Sequence, residues 1–233
     1  MKVIWLGQAG LYLESAAVRV MIDPYLSDSV YEASDDPALH RRVPVPAWVW
    51  ELIPDVLIFT HDHLDHYDPE TAHRFFASAK KPLTVLSPPS VWERVRKSGY
   101  AHNYVRICPY TEWSVGDLRI IAHPAEHSDP DAIGVIITEQ SIGKVCYITG
   151  DTLYNSTVID ALTAHHPEID AVFLPINGVG NNMNMTDAAR FAHAVGAKYA
   201  VPLHWGLFDG LNGADFPFAN KIVPEFFCEI KLP

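Results

Sequence analysis

Val56-Leu57-Ile58-Phe59-Thr60-His61-Asp62-His63-Leu64-Asp65-His66 is the stretch on which the rest of the chain turns. An apolar run of strand formers ends in three histidines within six residues, with Asp65 among them. On extended backbone, residues i and i+2 point the same way. His61 and His63 can therefore face one site, and Asp65 and His66 can approach it from the turn that follows. Asp68-Pro69-Glu70 then supplies an N-cap, a proline at the first helical position and an early acid, so a helix is expected to about Ala79. One histidine in a loop is ordinary. Three beside an aspartate, between a buried strand and a capped helix, predict a divalent metal, because neutral imidazole and carboxylate are what zinc and similar ions accept without thiolate.

Composition agrees. The chain has 233 residues, 12 histidines and only 3 cysteines. Cys108, Cys146 and Cys228 lie far apart with no C-x-x-C pair, so thiolate zinc sites and a disulfide framework are not expected. A reducing, cytoplasmic setting is the simplest reading. The chain is 48% hydrophobic, enough to build a core rather than a disordered polymer. Acidic residues outnumber basic ones 28 to 17, for a net charge of −11. No basic stripe is visible, so nucleic acid is not an expected partner. No apolar run approaches the roughly 18 residues of a membrane span, and membrane is not expected either.

Further along, Lys2–Leu6, Gly10–Leu13 and Val18–Ile22 read as short strands. A connection from Ser27 to Pro46 lacks periodicity and carries Arg41 and Arg42; loops this long are often functional. Strands are expected at Thr84–Leu86, Val105–Cys108, Leu118–Ala122, Ile133–Ile137, Val145–Ile148, Ala171–Leu174 and Tyr199–Val201. Helices are expected at Ser90–Lys97, Ser156–Ala164 and after Thr186, where Ala188, Phe191, Ala192 and Val195 form one apolar face. Strand-rich stretches alternating with helices predict an α+β single domain over residues 1–233, with helices packed outside mixed sheets.

Ligand-type side chains recur where these strands stop: His127 after Leu118–Ala122, Asp151 in Gly150-Asp151-Thr152, and His204 in Pro202-Leu203-His204. Strand ends gather on one rim of a sheet, where sites are commonly built. His123 rivals His127. Asp62 and Glu126 neighbour ligands, where they could orient imidazoles or be ordinary solvated acids. His165-His166 sit at a helix end, His193 on a solvated face, and His40, His73 and His102 have no partner nearby.

H-x-H-x-D-H, a later lone histidine, G-D-T and a late histidine together resemble the metallo-β-lactamase superfamily. Asp23-Pro24-Tyr25-Leu26, Leu174-Pro175-Ile176-Asn177-Gly178, Asn184-Met185-Thr186 and Pro202-Leu203-His204 are similar to its L-ascorbate-6-phosphate lactonase-like branch. The resemblance covers nearly the whole chain. It implies an αββα sandwich of two mixed β-sheets flanked by helices. It also implies one metal on His61, His63 and His127, a second position faced by Asp65, His66 and His204, and Asp151 reaching both. Zinc or manganese, as one or two ions, is the implied cofactor, and a homo-oligomer is compatible with it.

A bound divalent ion lowers the pKa of its water toward ~7. The expected activity is therefore hydrolysis by metal-bound hydroxide of a small-molecule ester, a sugar-type lactone with or without phosphate. Asp65 would orient the nucleophile or shuttle its proton. Asn177 and Gly178 would wall the substrate site. The branch carries a basic residue after the N-G segment, whereas Asn177-Gly178-Val179-Gly180-Asn181-Asn182 has none. Arg41 and Arg42 are then the candidate phosphate contacts. A phosphodiesterase acting on a small cyclic nucleotide, and a non-catalytic metal-binding module, are the alternatives.

Overall fold

Alternation along β1 (Lys2–Gly7) sends Val3 and Trp5 to one side and Ile4 and Leu6 to the other, and all four are buried. A strand covered on both faces belongs inside a layered structure. The computed structural model describes residues 1–165 and 168–233; His166, expected at a helix end, lies outside the described residues. Its first sheet contains β1, β2 (Gly10–Glu14), β3 (Arg19–Ile22), β4 (Val56–Ile58), β5 (Thr84–Ser87) and β6 (Asn103–Arg106). The second contains β7 (Glu112–Val115), β8 (Leu118–Pro124), β9 (Ile133–Glu139), β10 (Lys144–Ile148), β11 (Ile169–Pro175) and β12 (Ala197–Leu203). A last strand, β13 (Glu229–Ile230), returns to pair antiparallel with β1.

Val3, Trp5, Leu11, Val20 and Ile58 of the first sheet meet Ile120, Val135, Ile148 and Phe173 of the second in the central core. The outward residues Ile4, Leu57 and Val85 pack under α2 (Pro69–Ser78) and α3 (Pro89–Val95). Ile136, Tyr147 and Val172 pack under α4 (Ser156–His165) and α5 (Met185–Ala194). This is the expected αββα layering of two mixed sheets. Among the described residues, no helix is long and apolar enough to cross a membrane.

Several local expectations are corrected. The Ser27–Pro46 connection is not featureless: it holds a short helix (α1, Ser29–Ser34) and a 3-10 turn at Pro37–Leu39. α1 buries no residue of its own, so no apolar periodicity announced it. β7 reads Glu-Trp-Ser-Val and has no fully buried residue; lying at a sheet edge, it left no strong pattern. Asn184, not Thr186, caps α5, its side chain accepting from the Thr186 and Asp187 amides. The expected cap of α2 is present, with Asp68 accepting from the Glu70 amide.

Strand direction gathers the ligands. β3 and β4 are parallel, and β1 runs the same way through two antiparallel pairings. β10, β11 and β12 are parallel, and β8 matches them through antiparallel β9. The carboxyl ends of all seven strands therefore lie toward their sheets' same rims, and the loops leaving them carry the polar site.

Candidate metal centre

The segments after β4 and β8 bring together the first group of ligands. His61 Nε2 lies 3.1 Å from His63 Nδ1, and His127 Nε2 lies 3.2 Å from the same atom. Ligands at 2.0–2.1 Å from a tetrahedral ion sit roughly 3.3 Å from one another, so the three imidazoles have the spacing of a metal triad. His127 takes this place rather than His123, whose Nδ1 lies 3.2 Å from the Tyr147 hydroxyl and 3.0 Å from the Pro124 carbonyl. Burial pushes both His61 and His127 below the usual histidine range, which keeps them neutral and able to ligate.

The second group is Asp65, His66 and His204, whose ligand atoms lie within 4.8 Å of one another. His204 Nε2 is 3.1 Å from Asp65 Oδ2 and 3.3 Å from Asp151 Oδ2. Asp151 also stands 3.3 Å from His66 Nε2 through Oδ1. Those two buried atoms make no hydrogen bond at all. Buried polar atoms are ordinarily hydrogen-bonded, and a cation between these two would satisfy both. The donor set, all nitrogen and carboxylate oxygen, fits zinc or manganese.

Without an ion, this half is an ionic network. Burial alone would lower the His66 and His204 pKa values. Neighbouring carboxylates, Asp151 foremost, overcome it: His66 is raised well above its ordinary value and His204 is pushed up to about 10. Asp65 and Asp151 are correspondingly held well below the carboxylate range by the imidazoliums, against the opposing effect of burial.

Three supporting residues had no role in the sequence analysis. Asp23, buried just after β3, receives hydrogen bonds from the Thr60 amide (2.8 Å), the Thr60 hydroxyl (2.5 Å) and His66 Nδ1 (2.8 Å). It thereby fixes the ring whose Nε2 faces Asp151. Gln8, after β1, donates from Nε2 to Asp65 Oδ2 at 3.0 Å. Asn182 donates to Asp151 Oδ2 at 2.7 Å. Asp62 and Glu126 are not such groups: Asp62 pairs with Arg94, and Glu126 accepts from Asn155.

Backbone strain marks the same rim. Gln8, Asp23 and His204 have φ of 48°, 43° and 59°, in the left-handed region that non-glycine residues seldom occupy. Such strain persists where surrounding contacts hold it, often at functional sites. Gly150, just before Asp151, has φ of 61°, and a Cβ there would come within 2.7 Å of the Ile133 carbonyl oxygen, so only glycine fits.

A cleft of about 340 Å³ opens over the centre, with His63, Asp65, Asp151 and His204 in its lining. Asn177 also lines it, but Gly178 does not; Val179, Gly180 and Asn182 from the same loop do. Neither expected arginine reaches it. Arg41 is buried with Nη1 donating to the Tyr25 carbonyl at 2.7 Å, and it lines a separate crevice beside His40 and Trp50. Arg42 donates from its amide to the Leu207 carbonyl and from Nη1 to the Asp209 carbonyl. These bonds tie the Ser27–Pro46 connection to its neighbours. Three histidines away from the centre have local partners: His40 with Asp28, His73 with Tyr100, and His102 accepting from the Leu83 amide.

Comparison with known proteins places this geometry. The beta-lactamase superfamily domain matches residues 18–205. A UPF0173 metal-dependent hydrolase of Ligilactobacillus salivarius is 28% identical, covering 100% of this chain and 99% of the relative. Among solved structures, Igni18, a metallo hydrolase of Ignicoccus hospitalis, is similar with a TM-score of 0.76 and 19% identity, covering 98% of this chain and 97% of that one. An isothiocyanate hydrolase from Delia radicum gut bacteria is similar with a TM-score of 0.76 and 20% identity, over 99% and 98% of the two chains. The family match spans most of the chain, and the fold and the histidine–aspartate set agree with it: this chain belongs to the metallo-beta-lactamase superfamily.

Proposed function

We propose that this protein is a metal-dependent hydrolase with two adjacent cation positions, acting on the ester bond of a small molecule, a lactone foremost. The observation that carries the proposal is two neighbouring ligand groups, with Asp151 held beside His66 and His204 of the second at 3.3 Å and lining one open cleft together with His63 of the first. The full-length relative named a metal-dependent hydrolase supports the same class, and the resemblance to the lactonase-like branch supports the bond type.

His61, His63 and His127 would hold one ion; Asp65, His66 and His204 would hold the other, with Asp151 shared. A divalent ion supplies Lewis-acid activation of water and polarisation of the substrate carbonyl. The chain's own residues do the rest. Asp65, half-buried at the cleft, is placed to orient the attacking water or shuttle its proton. Gln8 fixes that carboxylate by its amide hydrogen bond. Asp23 and Asn182 hold His66 and Asp151 in orientation, as outer partners of ligands commonly do. The water oxygen bonds to the carbonyl carbon, the acyl–oxygen bond breaks, and the leaving alkoxide takes the proton given up by the water, by way of Asp65.

The test is turnover by zinc- or manganese-loaded protein of γ- and δ-lactones, aryl esters and bis-p-nitrophenyl phosphate. Faster hydrolysis of lactones is expected, with loss on chelation and recovery on adding metal. Preference for the phosphodiester would replace this function with a phosphodiesterase, and a loaded protein inert toward all three classes would make it a binding module.

A further inference from the structure

Besides the candidate ligands and the side-chain amides of Gln8, Asn177 and Asn182, the cleft is lined mainly by apolar side chains. Val30 and Leu39 reach it from the Ser27–Pro46 connection, Phe208 from the loop after β12, and Val179 from the loop after β11. Phe208 is set edge-on against buried Tyr25, with ring centroids 5.7 Å apart. Val179 is 66% exposed at its loop tip, an apolar side chain offered to the cleft rather than to the core. Among the described residues lining the cleft there is no lysine or arginine. The one charged lining residue outside the ligand set is an acid, Asp209, whose Oδ1 is built into a turn by the Gly206 and Leu211 amides at 2.8 and 2.9 Å.

An anionic group remote from the reacting carbonyl would exchange its hydration for these side chains without gaining a cation, and it would face the Asp209 carboxylate. An uncharged apolar arm would instead leave water for Val30, Leu39, Phe208 and Val179. We propose that the substrate is an uncharged ester or lactone with an apolar arm lying on these four side chains, and that the cleft selects against phosphorylated and carboxylated substrates. The inference rests on the hydrolase function proposed above, but it assigns the part of the substrate that does not react.

The experiment separates binding from turnover. Zinc-loaded protein is titrated calorimetrically with unbranched alkyl hydroxamates from two to six carbons, whose head groups bind metal, and with six-carbon analogues ending in carboxylate or phosphate. Each methylene fully transferred from water is worth up to about fourfold in affinity, from ~0.8 kcal/mol per buried CH₂. Because the arm is only partly enclosed, the expected gain from two to six carbons is at least tenfold. The charged termini abolish that gain, and Val179→Ser, at an exposed position, flattens the series. Affinity independent of chain length overturns the proposal, as does failure of every hydroxamate to bind the loaded protein. Tighter binding of the anionic analogues, lost again in Arg42→Ala, also overturns it. If the hydroxamate order holds but no ester or lactone is hydrolysed, the arm assignment stands and the reaction proposed above falls. If esters are hydrolysed with no preference for the apolar arm, the reaction stands and the arm assignment falls.

Discussion

Asp23→Asn changes one charge without changing the shape of the site, and its consequence can be worked from the hydrogen bonds. Asp23 accepts at Oδ1 from the Thr60 amide, a bond that Asn retains. At Oδ2 it accepts from the Thr60 hydroxyl and from His66 Nδ1. The Asn amide nitrogen in that place is a donor, so it forces His66 Nδ1 to accept and moves the ring proton to Nε2. That atom faces Asp151 and would be a ligand at the proposed second metal position. Loss of a ligand's outer partner typically costs roughly 10–100-fold in metal affinity, or about 1.4–2.7 kcal/mol. Asn tolerates the left-handed backbone at φ 43° as well as Asp does, so the fold should persist. The assay is competition of dialysed protein against a chromophoric chelator, resolving two dissociation constants, with circular dichroism as the control. The second constant should weaken by that factor, while the constant for His61, His63 and His127 changes little. Wild-type affinity at both positions in Asp23→Asn would refute the role given to Asp23.

Other outcomes follow from the same structure. His63→Ala removes the atom on which both His61 and His127 converge, so metal content by elemental analysis should fall by at least one equivalent and turnover should be lost. Gln8→Met keeps length but removes the donor to Asp65; turnover should fall roughly 10–100-fold, with ester kinetics as the measure. Gly134→Ala would put a Cβ 2.8 Å from the Thr149 carbonyl oxygen and 3.0 Å from the Tyr147 ring. It should destabilise the protein by about 1–3 kcal/mol, seen as a lower Tm. Asp55 provides the pH test away from the centre. Burial would raise its pKa, but hydrogen bonds from Arg19 and Lys81 prevail and bring it from 3.8 to about 2. A depressed carboxylate contributes stability that is present above pH 3.8 and is lost as pH falls through about 2. Asp55→Asn should cost on the order of 1 kcal/mol at pH 6 for these solvent-screened pairs, and the difference in denaturant midpoint should shrink as pH falls below 3.8 and vanish below about 2.

The candidate ligand set was legible because it is written at strand ends. His61, His63, Asp65 and His66 sit in one local run, and His127, Asp151 and His204 each follow an apolar strand, β8, β10 and β12, all running the same way. The layered fold was legible for the same reason: long apolar strands announce themselves. The supporting residues were not. Asp23 looks like a strand-ending turn in Asp23-Pro24, and Gln8 like the tip of a hairpin. Their roles arise from contacts 43 and 57 residues away along the chain, which no local pattern encodes. Arg41 and Arg42 misled for a related reason. A basic pair in a long connection looks available to a ligand, yet neither lines the cleft, and each donates from Nη1 to a backbone carbonyl, of Tyr25 and of Asp209. The apolar cleft walls were equally hidden, because Val30, Leu39, Val179 and Phe208 come from three separate loops.

The most direct test of a two-position metal centre is the number of divalent ions the chain holds. Purified protein, stripped with chelator and reloaded with zinc or manganese, should bind two equivalents per chain by elemental analysis. Asp151→Ala, which removes the shared carboxylate, should lose at least one of them together with hydrolysis. A stripped chain that takes up no stoichiometric metal, or an Asp151→Ala protein that keeps both ions and full turnover, would contradict the account.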